Sequence, residues 1–152
     1  MTATTMNRAP ARVVLRFSLN ELPPSVNNLY VTMVCKRKAI RVLSGHGRRF
    51  KAAGAKVVKA SARRIITRAK NERYVLLLEL YGLGYRRDVS NCIKVLEDCI
   101  FQTLGINDAY VDAPVALRCR ADGPERVDVL LISYSGAPLT RAALGLILTE
   151  VG

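Results

Sequence analysis

The run Tyr74–Tyr81, YVLLLELY, is apolar throughout except at Glu79. A strand of that composition has no face to give to water, so other layers must cover it on both sides. It predicts the centre of a sheet. Residues 12–19, RVVLRFSL, alternate instead, with Val13, Leu15, Phe17 and Leu19 on one side, the period of a half-buried strand. Two further runs, 115–120 and 126–134, flank a turn at 121–125, and their short connection predicts antiparallel pairing. From Tyr30 to Val42, YVTMV and AIRV enclose Lys36-Arg37-Lys38, which reads as a hairpin with three cations at its tip. Such a tip suits contact with DNA and equally suits protection of a strand edge from aggregation.

Helical spacing marks two longer segments. The first runs from Gly47 to Lys70, with Phe50, Ala53, Val57, Ser61 and Ile65 on its inner face and Lys56, Lys59, Arg63 and Lys70 opposite. The second starts at Asp88. There Val89, Cys92, Ile93, Leu96, Ile100 and Leu104 recur at intervals of three and four, while Asn91, Lys94 and Asp98 fall on the far side. These elements predict an α/β (α+β) fold, a mixed sheet of about four main strands packed with two main helices over residues 1–135. The tail 136–152 carries Leu139, Leu144, Leu146 and Ile147 and predicts a short additional helix, with a partner subunit as one surface it could pack against.

A chain of 152 residues, half of them hydrophobic, suits one domain with a substantial core. With 24 Lys+Arg against 12 Asp+Glu it carries +12, which points to polyanionic partners. No stretch approaches the roughly 20 apolar residues of a spanning helix, and the opening MTATTMNRAPAR lacks a signal-peptide layout. The expectation is a soluble, intracellular protein. The basic helix lacks the Trp and multiple Phe of a membrane anchor, so nucleic acid is favoured over a lipid surface. Cys35, Cys92, Cys99 and Cys119 form no C-x-x-C pair and no zinc spacing, which predicts reduced thiols. A single histidine, His46, makes a His-based metal cluster or a Ser-His-Asp triad hard to build.

The segment Arg86–Asp112, RRDVSNCIKVLEDCIFQTLGINDAYVD, holds the chemistry. Asp88 reads as a helix cap, Lys94 and Asp98 as a solvated pair, and Asn107-Asp108 as a turn. The same residues can also converge on a hard cation, since Mg²⁺ takes oxygen ligands and usually one or two protein carboxylates. Upstream, Gly82-Leu83-Gly84-Tyr85 is too short for a dinucleotide fingerprint. It reads as a turn that delivers Arg86 and Arg87 beside Asp88, where they would draw in a phosphodiester or merely offset charge. Spacing alone leaves these readings open.

The run Asp88-Val89-Ser90-Asn91, with Lys94, Asp98, Asn107-Asp108 and Asp112, resembles the signature of the RusA family of Holliday-junction resolvases, small endodeoxyribonucleases often carried by phages. Near the start, Pro23-Pro24-Ser25-Val26-Asn27-Asn28 resembles that family's Pro-Pro-Ser-Asn-Asn segment with one residue inserted. The likeness spans roughly residues 13 to 134. It implies a homodimer that cuts four-way or branched DNA in the cytoplasm of a bacterial or phage-infected cell. Asp88 and Asp108 would hold Mg²⁺, Lys94 would stabilise the charged transition state, and Asn91, Asn27, Asn28, Arg86 and Arg87 would position DNA. Asp98 and Asp112 would be hydrogen-bond partners or outer acids. Two positions depart from the family pattern: Ser90, where the resemblance leads one to expect an aspartate, and Asn107, where it leads one to expect the first member of an acidic pair. Lost charge at Ser90 opens the alternative of a non-catalytic basic module that binds branched DNA or structured RNA.

Overall fold

The computed structural model describes residues 11–62, 72–120, 123–135 and 139–151. In chain order the elements are β1 (Arg12–Leu19), α1 (Val26–Leu29), β2 (Tyr30–Cys35), β3 (Lys38–Leu43), α2 (Gly45–Ser61), β4 (Glu72–Tyr81), α3 (Val89–Leu104), β5 (Val111–Cys119), β6 (Arg126–Ser135) and α4 (Arg141–Val151). A single 3-10 turn, Asp108–Tyr110, lies between α3 and β5. The fold is mixed α+β, with a four-stranded sheet in the order β1-β6-β4-β5 and a separate hairpin, β2-β3.

Strand β4 lies inside the sheet, as its composition requires. Its residues Tyr74, Leu76, Leu78 and Leu80 face the main core together with Leu15, Phe17, Val127, Val129 and Leu131, beneath α2 and α3. Val75, on the opposite face, joins Ile132, Tyr134 and Ile147 in a second core under α4. The tail thus supplies the cover that the far face of the apolar strands needs. No helix among the described residues is long and apolar enough to cross a membrane.

The pairing of β5 and β6 differs from the expectation of an antiparallel couple. β5 runs parallel to β4, and β6 runs antiparallel to the other edge of β4, so the two do not touch as neighbours. The long connection decides this: β4, α3 and β5 form a β-α-β unit, whose crossover helix returns the chain to a parallel position. β5 begins at Val111 rather than 115 and includes the exposed Pro114, which an edge strand tolerates because no partner needs its missing N–H.

Val13 also departs from its predicted inner face and is 44% exposed. The register of β1 against β6 shifts between Val13 and Leu15, which reverses the alternation and turns Val14 toward the core instead. Helix α2 starts at Gly45 because Ser44 caps it, its hydroxyl accepting from the Gly47 amide at 3.0 Å. The described helix ends at Ser61, and the predicted continuation through Arg63, Ile65 and Lys70 lies outside the described residues.

The buried face of α2 is Gly47, Phe50, Gly54 and Val58, and Ala53 is exposed. Two glycines set that rotation. A Cβ on Gly54 would lie 2.6 Å from Cys99 Sγ on α3, and one on Gly47 would lie 2.7 Å from the Leu29 carbonyl oxygen. Overpacking of about 1–3 kcal/mol outweighs the roughly 1 kcal/mol of helix propensity that alanine brings over glycine. Gly54→Ala is therefore expected to lower stability in urea melts, whereas in a Cys99→Ala background the same change should be neutral or stabilising. Equal effects in both backgrounds would mean that the two helices separate freely at this point.

Candidate active site

Helix α3 presents its chemistry because its other side is committed. Cys92, Val95, Leu96, Cys99, Ile100 and Phe101 are buried, with Val89, Ile93 and Leu104 packed at the margin. What remains outside is Asn91, Lys94 and Asp98. Burial pushes the Cys92 and Cys99 thiols up, so both stay protonated.

At the mouth of the helix Asp88 is the N-cap, its Oδ1 accepting from the Ser90 amide at 2.9 Å. That amide and the Ser90 hydroxyl hold the Asp88 carboxyl below the usual carboxylate range against the opposing effect of burial, and the Arg118 charge adds a lesser pull in the same direction. Asp88 is an exposed residue, and these contacts favour its charged form.

Lys94 gathers the other acids. Its Nζ lies 2.9 Å from Asp98 Oδ1 and 3.9 Å from Asp108 Oδ2. The hydrogen bond to Asp98 comes first among the causes that raise the Lys94 pKa, so the ammonium is permanently charged at neutral pH. Asp108 reaches this point because α3 closes on Gly105, at φ 66°, and the chain then turns through Asn107, whose side chain caps the 3-10 turn by accepting from the Ala109 amide at 2.9 Å. An asparagine performs that capping as well as an aspartate would. A groove of about 450 Å³ follows, lined by Glu97, Asp98, Gln102, Asn107 and Asp108 among others.

The predicted residues thus divide into groups. Lys94, Asp98 and Asp108 are brought together by their ion pairs. Asp88 stands six residues before Lys94, about 9 Å along the axis at 1.5 Å per residue, and the cation that acts on it is Arg118. Asn91 is half-buried on the shared face, and Arg86 is exposed. The Arg87 guanidinium donates to the Pro23 carbonyl, while the Arg87 carbonyl accepts from Arg118 Nη2 at 2.7 Å. Arg87 therefore clasps the proline-rich loop to the start of α3. Asn27 and Asn28 are exposed on α1, which packs against α3.

Asp112 is placed otherwise. Both of its oxygens accept from the Arg73 guanidinium, the Nε contact at 2.6 Å, and Tyr134 Oη donates to Oδ2. This fork braces the start of β5 against β4 and β6, the structural of the two roles the sequence offered for it.

Three contributors escaped the sequence. Glu97 is half-buried at the edge of the acidic group, and burial, followed by the charges of Asp98 and Asp108, raises its pKa against the pull of Lys94. Its signal was its place three residues after Lys94. Tyr85 is 95% exposed with the Arg118 guanidinium 5.6 Å from its ring centre. An exposed aromatic three residues before a candidate acid is a cue to nucleobase contact, whereas Arg118, 31 positions from the carbonyl it meets, left no local trace.

Among the described residues, no three His, Cys, Asp or Glu side chains come close enough to share a metal ion. Asp88 and Asp108 nevertheless offer hard oxygen donors open to solvent, Asp108 with 70% of its side chain exposed. That donor chemistry fits Mg²⁺, which tolerates one or two carboxylates when water and substrate phosphate complete its shell. A scan of the sequence against protein-family models finds no match, and neither does a search of curated proteins.

The raised Glu97 pKa has a stability consequence with a definite sign. Above its unfolded value, about 4.3, the unfolded chain releases this proton before the folded one does, so stability falls as pH rises through the folded-state pKa. Glu97→Gln is expected to raise Tm at pH 7 and leave it nearly unchanged at pH 4. A gain of the same size at both pH values would show that charge at this position is irrelevant.

Proposed function

We propose that this protein is a Mg²⁺-dependent endonuclease that nicks branched DNA, four-way junctions above all, as a homodimer in the cytoplasm of a bacterial or phage-infected cell. The observation that carries the reading is the Lys94 ammonium fixed beside Asp98 and Asp108 on the polar side of the helix that Asp88 opens. The motif likeness to the RusA family supports it, as does the +12 charge, which favours a phosphate backbone.

Each residue has a task in this reading. Asp88 and Asp108 would hold Mg²⁺, and the bound ion would supply Lewis-acid charge and a water of lowered pKa. Lys94, kept protonated by Asp98, faces negative charge that builds on the phosphate in the transition state. Arg86 is free to draw the backbone toward the helix mouth, and Asn91 orients groups on the same face. Asn27 and Asn28, exposed on α1 against α3, reach the neighbouring nucleotides. A junction offers two equivalent strands, which suits one site per subunit of a two-fold dimer.

A second reading is favoured by a specific observation. Ser90 supplies no charge where a carboxylate would strengthen metal binding, and three acids do not converge among the described residues. A protein of this kind could bind branched DNA or structured RNA without cutting.

Purified protein incubated with a mobile four-way junction, with and without Mg²⁺, separates the two on a denaturing gel. The nuclease reading expects paired symmetric nicks that need the metal, and that vanish in Asp88→Asn. Lys94→Ala should slow cutting by about 10²–10³-fold while junction affinity changes far less. Ser90→Asp should lower the Mg²⁺ concentration giving half-maximal rate. Binding with no nicks in wild type and in Ser90→Asp alike would leave the binder as the surviving reading, and undiminished cutting by Asp88→Asn would remove that carboxylate from the mechanism.

A further inference from the structure

The β2-β3 hairpin is rooted in the main core through Tyr30 and Leu43, and beyond that root every residue from 31 to 41 is exposed. Its cross-strand register places Val31 opposite Val42 and Met33 opposite Ile40 on one face, with Cys35 and Lys38 next toward the tip. Val31, Met33 and Ile40 are 45%, 54% and 44% exposed, so this face is an apolar strip in open solvent. At its tip are Lys36, Arg37 and Lys38, Arg41 lies on the opposite face over the Tyr30 ring, and the chain contains no Asp or Glu between Glu21 and Glu72.

The turn adds a second, independent observation. Lys36 and Arg37 have φ of 47° and 66°, the left-handed region at both central positions of a two-residue hairpin loop. Asn-Gly is the pair that adopts such a turn readily, and each residue with a long side chain placed there costs about 1–2 kcal/mol. The sequence keeps two cations where turn chemistry favours neither. Strain retained in this way points to a role for the side chains themselves.

The root of the hairpin lies at the candidate site. The Ser44 amide donates to the Leu29 carbonyl at 2.8 Å and the Ser44 hydroxyl donates to the Asn28 carbonyl at 2.8 Å, which ties the end of β3 to α1. α1 packs on α3, and the loop before it is held by Arg87. Six residues per strand carry the tip about 20 Å outward at roughly 3.3 Å per residue.

We infer that this hairpin is a wedge for the branch point of DNA, its tip cations gripping phosphates and its Val31–Met33–Ile40 face covering bases exposed where stacking is interrupted. Charge without a single acid selects a polyanion. An apolar strip then selects the part of a DNA molecule that exposes base faces, since proteins that unstack DNA insert apolar side chains between base steps. The inference rests on the branched-DNA reading above and is independent of cleavage.

The test uses the full chain in EDTA, an immobile four-way junction with 2-aminopurine beside the branch, and a linear duplex of equal length. Wild type should prefer the junction and raise its fluorescence by unstacking the probe. The double change Lys36→Asn with Arg37→Gly should melt at a higher temperature than wild type, because it relieves the turn. It should nonetheless bind the junction more weakly, with the slope of log K against log salt reduced by about 1–2. Met33→Ser with Ile40→Thr should keep the salt slope and lose the fluorescence rise. An unchanged slope in the first variant, or an unchanged fluorescence rise in the second, overturns the inference and leaves the nuclease reading standing. A dimer that the second variant dissolves without altering the fluorescence assigns the face to another copy of the chain and equally overturns it. Equal wild-type affinity for junction and duplex would overturn the branched-DNA reading and the wedge with it.

Discussion

Helix α3 cannot turn about its own axis, and the candidate site depends on that. Its buried side is fixed to the sheet through Cys92, Leu96 and Ile100, and to α2 where Gly54 leaves room only for the Cys99 sulfur. In a close-packed interior a rotation of even one residue would force a methyl-sized group into backbone or sulfur. The 3.6-residue repeat then dictates that Asn91, Lys94 and Asp98 form the strip that solvent sees. The polar residues have no say in where they point. Apolar contacts elsewhere place them.

The second half of the site is positioned by a different kind of force. Asp108 belongs to a turn, and turns drift unless both ends are held. One end is held by the left-handed closure of α3 at Gly105 and the Asn107 cap. The other is held at Asp112, which Arg73 and Tyr134 secure to strands β4 and β6. Asp112 thereby influences the position of Asp108 from outside the groove lining. Arg87 plays the equivalent part for the proline-rich loop.

Much of this was legible in the sequence, and the exceptions share a cause. Local patterns gave the strands at 12–19 and 74–81, the hairpin, the α3 period, the Asp88 cap and the Lys94–Asp98 pair, because each depends on residues within one or two turns of each other. Errors arose where distant partners decide. The β1 register slip that exposes Val13 depends on β6, and the rotation of α2 that exposes Ala53 depends on Cys99 of another helix. The wrong neighbour for β5 came from weighing a short loop above the crossover made by α3. Arg118 belongs with these, since the carbonyl it meets is 31 positions away, whereas the importance of Glu97 lies in a burial that local spacing does not show.

The charge pattern of the folded molecule sets a problem that Lys94 answers. Cations of the hairpin and of α2 would attract a polyanion from about a Debye length away, roughly 8–10 Å, and no acid interrupts them between Glu21 and Glu72. The groove at the end of α3 is acidic, with Glu97, Asp98 and Asp108 close enough that burial and mutual repulsion raise the Glu97 pKa. A phosphate drawn in by the first region is repelled by the second unless positive charge stands between them. Lys94, bonded to Asp98 and within 4 Å of Asp108, is a fixed cation beside those acids, and a divalent ion on exposed carboxylates would be a mobile one. With Ser90 in its first turn, α3 has Asp88 as the carboxylate at its mouth. Each carboxylate removed from the helix mouth weakens the hold on a cation and, by the same Coulomb term, eases the approach of the phosphate.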